Sequence, residues 1–259
     1  MALTNKTPAE TYQDLVYVDN SNSGVDSTAR NVKGGNGATS SVQLSTNKLQ
    51  VTPSASDGQA FEVNTKAGSE VFSVNSSTSL VTANGHNVNC QYATFGISYL
   101  NSTSFVANTH YFIPYDAIDA LNIIAHGTGT DPLTSKTTAD TDATTKAASL
   151  VPYMWLIPDD ITITDVYSIE GADAATGDTT RMHLYSFTFN SGSTSALADG
   201  TLLAHNSDVT NAGSEQAYKS TWTVDAGAVA ADKVICAFFR SDSVNSDYST
   251  RIFIKYYLR

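Results

Sequence analysis

The stretches of this 259-residue chain that could do chemistry are few, and each is short of something the chemistry needs. His126-Gly-Thr-Gly-Thr130 has the glycine content of a phosphate-cradling loop, in which successive backbone amides close on an anion. It lacks the Gly-Lys-Ser/Thr ending and no helix pattern follows, so it reads as a surface loop. Gly34-Gly-Asn-Gly37 has no second half of a dinucleotide fingerprint and no acidic residue placed for a ribose, which leaves a turn. Asp140 and Asp142, with Asp131 nearby, carry the oxygens that calcium takes, but the sharp-turn glycine and closing glutamate of a helix-loop-helix site are missing. Asp173 and Asp178 in EGADAATGDTT read as a solvated turn. The histidines at 86, 110, 126, 183 and 205 are scattered, with no H-x-H or H-x-x-x-H pair to orient a metal. Gly96-Ile-Ser-Tyr-Leu100 fails at the last position of a nucleophile elbow. Two carboxylates placed for sugar hydrolysis remain open, because their separation is a matter of three dimensions. The expectation is no enzyme, no cofactor and no metal.

Composition narrows the class further. Charged residues are 15% and hydrophobic ones 41%, with Ser, Thr, Asn, Gly and Ala filling much of the rest, a profile of many turns and short strands. The net charge of -11 repels phosphates over most of the surface, so nucleic acid is excluded as a partner. No run of eighteen apolar residues occurs, and the first residues lack the basic and apolar regions of a leader, so the expectation is synthesis in a cytoplasm without membrane insertion. Cys90 and Cys236 have no metal-type spacing and read as small buried apolar residues.

The elements that must position any site are strands. Residues 57–85 contain Phe61-Glu-Val-Asn-Thr65 and Phe72-Ser-Val-Asn-Ser76, joined by a Lys66-Ala-Gly68 turn, and apolar and polar residues alternate at period two. Two or three such strands leave one apolar face uncovered and are marginal alone. Further copies of the chain are the simplest cover, which assigns residues 46–88 to a short trimeric β shaft with Phe61, Val63, Phe72 and Val74 toward the axis. Before it, residues 1–45 have a short helix signal after Thr7 with Pro8 and Glu10, then a strand at Leu15-Val-Tyr-Val18 and a turn. This segment has too few apolar anchors for a core of its own and reads as a docking segment, with Tyr12, Leu15, Val16, Tyr17 and Val18 as its contacts. After the shaft, residues 89–259 show about eight strand-like runs, 92–99, 111–113, 151–157, 161–169, 182–189, 221–224, 234–239 and 251–258, broken by Gly, Asn, Asp and Ser, the pattern of an antiparallel β-sandwich or jelly roll. Residues 116–125 allow a helix inside this all-β head, and residues 128–149 read as a long surface loop. The 13 Tyr, 10 Phe and two Trp are enough to fill a sandwich core, or to furnish a binding face.

The order of segments resembles virion proteins of tailed bacteriophages, especially those of marine and cyanobacterial hosts. TPAETYQDLVYVDNSNSGVDSTARNVKGGNGATSSVQLSTNKLQV is similar to the opening of their fibre-like proteins. AFEVNTKAGSEVFSVNSSTSLVTANG is similar to their trimeric shaft repeats. LIPDDITITDVYSIEGADAATGDTTRMHLYSF and DAGAVAADKVICAFFRSD are similar to their β-sandwich heads. The resemblance implies a homotrimeric appendage located on the virion and assembled in the host cytoplasm. Its N-terminal segment would contact other virion proteins of the capsid or tail, and its head would project outward. The short shaft fits a capsid decoration or head fibre. The alternatives are a tail fibre that binds a host surface glycan or receptor, and a glycan-degrading spike.

Overall fold

A computed structural model describes residues 16–21, 23–100, 106–116, 124–132, 147–173, 176–194, 196–213, 215–243 and 247–259. The chain is all-β. Its contacts divide it into two units, Met1–Asn89 and Cys90–Arg259.

The first unit holds two four-stranded antiparallel sheets in simple sequence order. One contains β1 (Val16–Val18), β2 (Arg30–Gly34), β3 (Thr39–Leu44) and β4 (Leu49–Val51). The expected boundary at residue 45 falls between β3 and β4, which Val42↔Val51 and Leu44↔Leu49 pair into one sheet. The other contains β5 (Phe61–Asn64), β6 (Glu70–Asn75), β7 (Leu80–Ala83) and β8 (His86–Asn87). Between β5 and β6 the expected turn is present: the Gly68 amide donates to the Thr65 carbonyl at 2.9 Å, and Gly68 takes φ +84°, which a residue with a Cβ adopts only under strain.

The second unit is a β-sandwich. Its strands are β9 (Gln91–Leu100), β10 (Thr109–Ile113), β11 (Ala125–Thr128), β12 (Trp155–Leu156), β13 (Ile161–Asp173), β14 (Thr179–Phe189), β15 (Leu197–His205), β16 (Val209–Thr210), β17 (Glu215–Thr221), β18 (Thr223–Val224), β19 (Ala228–Val229), β20 (Lys233–Ser241) and β21 (Asp247–Leu258). One sheet runs β17-β13-β21-β9, with β19 against β13. The other runs β11-β10-β20-β14-β15-β18, with β12 against β20 and β16 against β14. All pairings are antiparallel.

The larger sheet is covered on both faces. Phe95, Ile161, Ile163, Ile252 and Ile254 from the smaller sheet pack against Met182, Leu184, Ile235 and Phe239. On the far side, Phe112, Tyr185, Phe187, Cys236 and Phe238 form a second core, closed by Leu150 and Tyr153 of the short helix α1 (Ala147–Leu150) and the following 3-10 turn. Burial on both faces explains why Val234-Ile-Cys-Ala-Phe-Phe239 is a continuous apolar run, whereas β21 alternates with buried Ile252 and Ile254 between more exposed Phe253 and Lys255.

Some expectations change. Val151–Ile157 is not one strand: Pro152 lacks an amide hydrogen to donate to a ladder, and Val151–Tyr153 form a 3-10 turn ahead of the two-residue β12. Cys236 is buried, but Cys90 is only half-buried. The helix expected after Thr7 lies outside the described residues, as do Tyr12, Leu15, Asp140 and Asp142. The helix expected over 116–125 falls mostly outside them too, and its last residue, Ala125, opens β11.

Neither tryptophan is available to a binding face. Trp155 and Trp222 are buried in the core, and the Trp222 indole donates to the Ser168 hydroxyl at 2.9 Å, itself fully buried. Ser168→Ala strips that indole N–H of its partner where water cannot replace it, and is expected to cost about 1–3 kcal/mol in urea unfolding.

Candidate functional site

Three places carry features beyond folding: the open faces of the N-terminal sheets, a histidine cluster in the head, and a trough on the head's smaller sheet.

Cross-strand register decides the faces of the first unit. Phe61 pairs with Val74 and Val63 with Phe72, and on the next strand Phe72 pairs with Ala83 and Val74 with Val81. Directly paired residues share a face, so the four residues expected at a shaft axis lie together. Phe61 and Phe72 touch edge to face, with centroids 6.2 Å apart. None of the four is buried: Phe61 is 41% exposed and Val63 44%. The reverse face is polar. A register shift at Val71 brings Glu70 round to it, where the Thr82 hydroxyl donates to Glu70 and holds its carboxyl below the usual range. Ser73, hydrogen-bonded to Thr82 at 2.7 Å, completes the group.

The sheet before it is built the same way. Val16, Val18 and Val32 share one face with Val42, Leu44, Leu49 and Val51. Tyr17, Lys33, Asn31, Gln43 and Gln50 take the other. Lys33 reaches Asp19 at 2.7 Å and Gln43 bonds Asn31 at 2.8 Å, so the polar face is internally satisfied. Apart from Arg30, which pairs with Leu44 and is held to Asp26 at 3.0 Å, this face is apolar, and it is open, with Val16 66% and Leu49 63% exposed. Of the docking contacts expected from sequence, Val16 and Val18 lie on it and Tyr17 points away. Among the described residues of the first unit only Ser73 is buried. The described part of this unit, whose one buried side chain is a serine, has no core within a single chain.

The histidines are scattered in sequence and gathered by register. His110 pairs across β10/β20 with Arg240, Arg240 pairs with Arg181 of β14, and His183 pairs with His205 of β15. The His110 and His183 rings stand 5.2 Å apart, those of His183 and His205 6.4 Å, and His205 Nδ1 meets Asp225 at 2.8 Å. The Gly129 carbonyl accepts from His110 Nε2 and from Arg240, each at 3.2 Å. This is the work of the His126-Gly-Thr-Gly-Thr130 stretch: Gly127 sits at φ +68° in a β-bulge, where a Cβ would lie 2.0 Å from the Pro132 carbonyl oxygen. The motif aims a carbonyl at a cationic cluster. Burial beside two arginines pushes His110 down to about 4, and pushes His183 down further. Nδ1 of both is buried without a partner. Among the described residues, no three His, Cys, Asp or Glu side chains are grouped to hold a metal ion.

A second buried titratable group, Glu170, lies in the smaller sheet, accepting from Thr180 at 2.8 Å and Ser220 at 3.2 Å. Burial raises its pKa despite both bonds.

The outer face of the smaller sheet carries a trough. Its floor is Gly171, Ser249 and Ala217, directly paired across β21, β13 and β17. One wall is Ile169 and Arg251, which pair with each other and with Lys219 and Gly96 respectively. The opposite wall is Asp173, Asp247 and Glu215, again directly paired. The trough has two adjoining parts of about 400 and 480 Å³ that share the floor residues. Sequence pointed to Asp173 only as a turn residue. A row of three carboxylates drawn from three distant strands has no local signature.

Comparison of the chain with known protein families and with curated proteins finds no match.

Proposed function

We propose that this chain is a structural protein of a bacteriophage virion: a homotrimeric short fibre or decoration protein, attached to the capsid by its N-terminal segment with the β-sandwich head outward. The observation that carries the reading is that two amphipathic sheets in succession leave their apolar faces open, with no core beneath either among the described residues. Such faces are stable in water only when covered, and identical copies that each bring the same face cover them at once. The number three and the virion come from the resemblance of the segments; the open faces support assembly. The first sheet contacts other virion proteins through Val16 and Val18, and the second contributes Phe61, Val63, Phe72 and Val74 to an axis between copies.

Light scattering on the full chain tests this. The expected mass is three times the 27.5 kDa of one chain at micromolar concentration, and a monomer overturns the proposal.

The second reading is a tail fibre or receptor-binding protein that recognises a host surface glycan. The trough favours it, since a concave strip with a small-residue, largely apolar floor between charged walls is what a sugar chain needs. Its carboxylates share one wall, whereas glycoside hydrolysis needs two that flank the bond, so binding without cleavage is the form this reading takes. Purified chain that competes with phage for adsorption to host cells supports this reading, and adsorption unaffected at saturating chain removes it.

A further inference from the structure

We infer that the trough on the smaller head sheet is a binding site for an amine-bearing oligosaccharide, laid across β17, β13 and β21 with its amino groups on the acidic wall. The inference rests on the glycan-binding reading and specifies its ligand. Three features of the trough select that chemistry.

The first is direction. The floor residues Gly171, Ser249 and Ala217 lie side by side on three neighbouring strands, so the trough crosses the strands instead of following an edge. β17 is the edge of the sheet, but β13 and β21, which carry most of the trough, are ladder-paired on both sides, so a ligand lying across them cannot join as an added strand. A ligand here is held by side chains and by the flat floor. That suits a chain of rings with hydroxyls around the rim better than an extended peptide, which takes its affinity from a sheet edge.

The second is shape. Walls and floor are separated by two residues along each strand, about 6.6 Å each way, so the walls stand roughly 13 Å apart. The floor has no side chain longer than serine, and the Ile169 side chain, 52% exposed, offers apolar surface beside it. A pyranose face can lie on such a floor while its substituents reach both walls.

The third is charge. Asp173 is flanked in register by Asp247 on one side and Glu215 on the other. Like charges placed directly opposite one another destabilise a sheet, so a cation beside the directly paired Asp173 and Glu215 is favoured. The opposite wall carries Arg251, held over the Phe253 ring at 5.7 Å, as a planar donor for hydroxyl and acetyl oxygens. The wall with three carboxylates takes the ammonium groups, and the whole chain's charge of -11 draws a cationic ligand in from solution.

The test uses the full chain and two probes, fully N-acetylated chitohexaose and the same oligomer partly de-N-acetylated, by titration calorimetry. The amine-bearing oligomer is expected to bind at least about tenfold more tightly, and the preference to vanish in Asp173→Asn/Glu215→Gln. Gly171→Trp is expected to abolish binding with the urea midpoint unchanged, because a Cβ at 171 meets only the Gln216 carbonyl oxygen, at 3.9 Å, and the indole fills the trough. Equal binding of both probes, lost in Gly171→Trp, overturns the amine assignment and leaves glycan binding standing. Binding untouched by Gly171→Trp, or no binding of either probe at millimolar concentration, overturns the site. The separate adsorption competition then decides whether the head recognises a host glycan by other chemistry.

Discussion

Replacing Phe72 with aspartate is expected to turn the proposed trimer into single chains. In one chain Phe72 sits mid-sheet, paired with Val63 and Ala83 and only half-buried. An aspartate there would face water in an isolated sheet and cost little. In the proposed trimer the same position meets its counterparts from two other copies, and three carboxylates would be buried together. An unpaired buried ion costs several kcal/mol even after relaxation, and like charges at close range add to it. The expected result is a fall in scattering mass to that of one chain, while the head's buried Trp155 and Trp222 keep their fluorescence, since both lie in the second unit. Phe72→Leu serves as the control, because it keeps an apolar side chain on the same face and adds no charge. A trimer that survives Phe72→Asp would place the assembly interface elsewhere.

The head is expected to lose stability steeply as the pH falls from about 6.5 toward 4. His110 is fully buried and its pKa is held near 4 against an ordinary 6.5, chiefly by burial, with Arg240 and Arg181 adding repulsion. Above pH 6.5 the imidazole is neutral folded or unfolded, and the pH has no leverage through it. Below that value the unfolded chain takes up a proton that the folded site refuses, so stability present above the unfolded pKa is lost as the pH drops toward the folded one. A depression from 6.5 to about 4 amounts to roughly 3 kcal/mol from His110. His183, depressed further by the same burial and by His110 itself, pulls in the same direction.

Asp131 near His110, and Asp225 on His205, are the acidic groups that moderate the cluster. Glu170 opposes it: its raised pKa gives stability below the ordinary carboxylate value that is lost as the pH rises, so acid favours it. Urea unfolding followed by tryptophan fluorescence between pH 7.5 and 4 reads the sum. His110→Gln keeps an N–H for the Gly129 carbonyl and removes the titration, and is expected to flatten the curve by about 3 kcal/mol over that range. A wild-type curve already flat would mean that the cluster opens to water.

Period-two alternation was enough to read the chain as strands, and the type of each residue at its position was enough to assign most of them. Phe61, Val63, Phe72 and Val74 could be placed on one face from sequence alone, because alternation within a strand and a three-residue turn between strands leave register little freedom. Trp155 and Trp222 could not be assigned, since an aromatic at a strand position looks the same whether its face is packed or wet. Their burial follows from a second sheet that local sequence does not announce. Similarly, β15 and β17 were missed as strands, because Ala198-Asp-Gly-Thr201 and Glu215-Gln-Ala217 have the composition of turns, and only ladder pairing with β14 and β13 holds them extended.

The two features that bear most on chemistry in the head belong entirely to tertiary structure. His110 and His183 are 73 positions apart, and they meet because β20 inserts between their strands and sets the register of both. The carboxylate row joins Asp173, Glu215 and Asp247 for the same reason. Sequence by itself determined an all-β chain of alternating strands whose first third has too little apolar matter to fold around. The tertiary structure decided which distant residues became neighbours, because lateral pairing in an antiparallel sheet depends on which strands lie side by side, and strand order is written in no single strand.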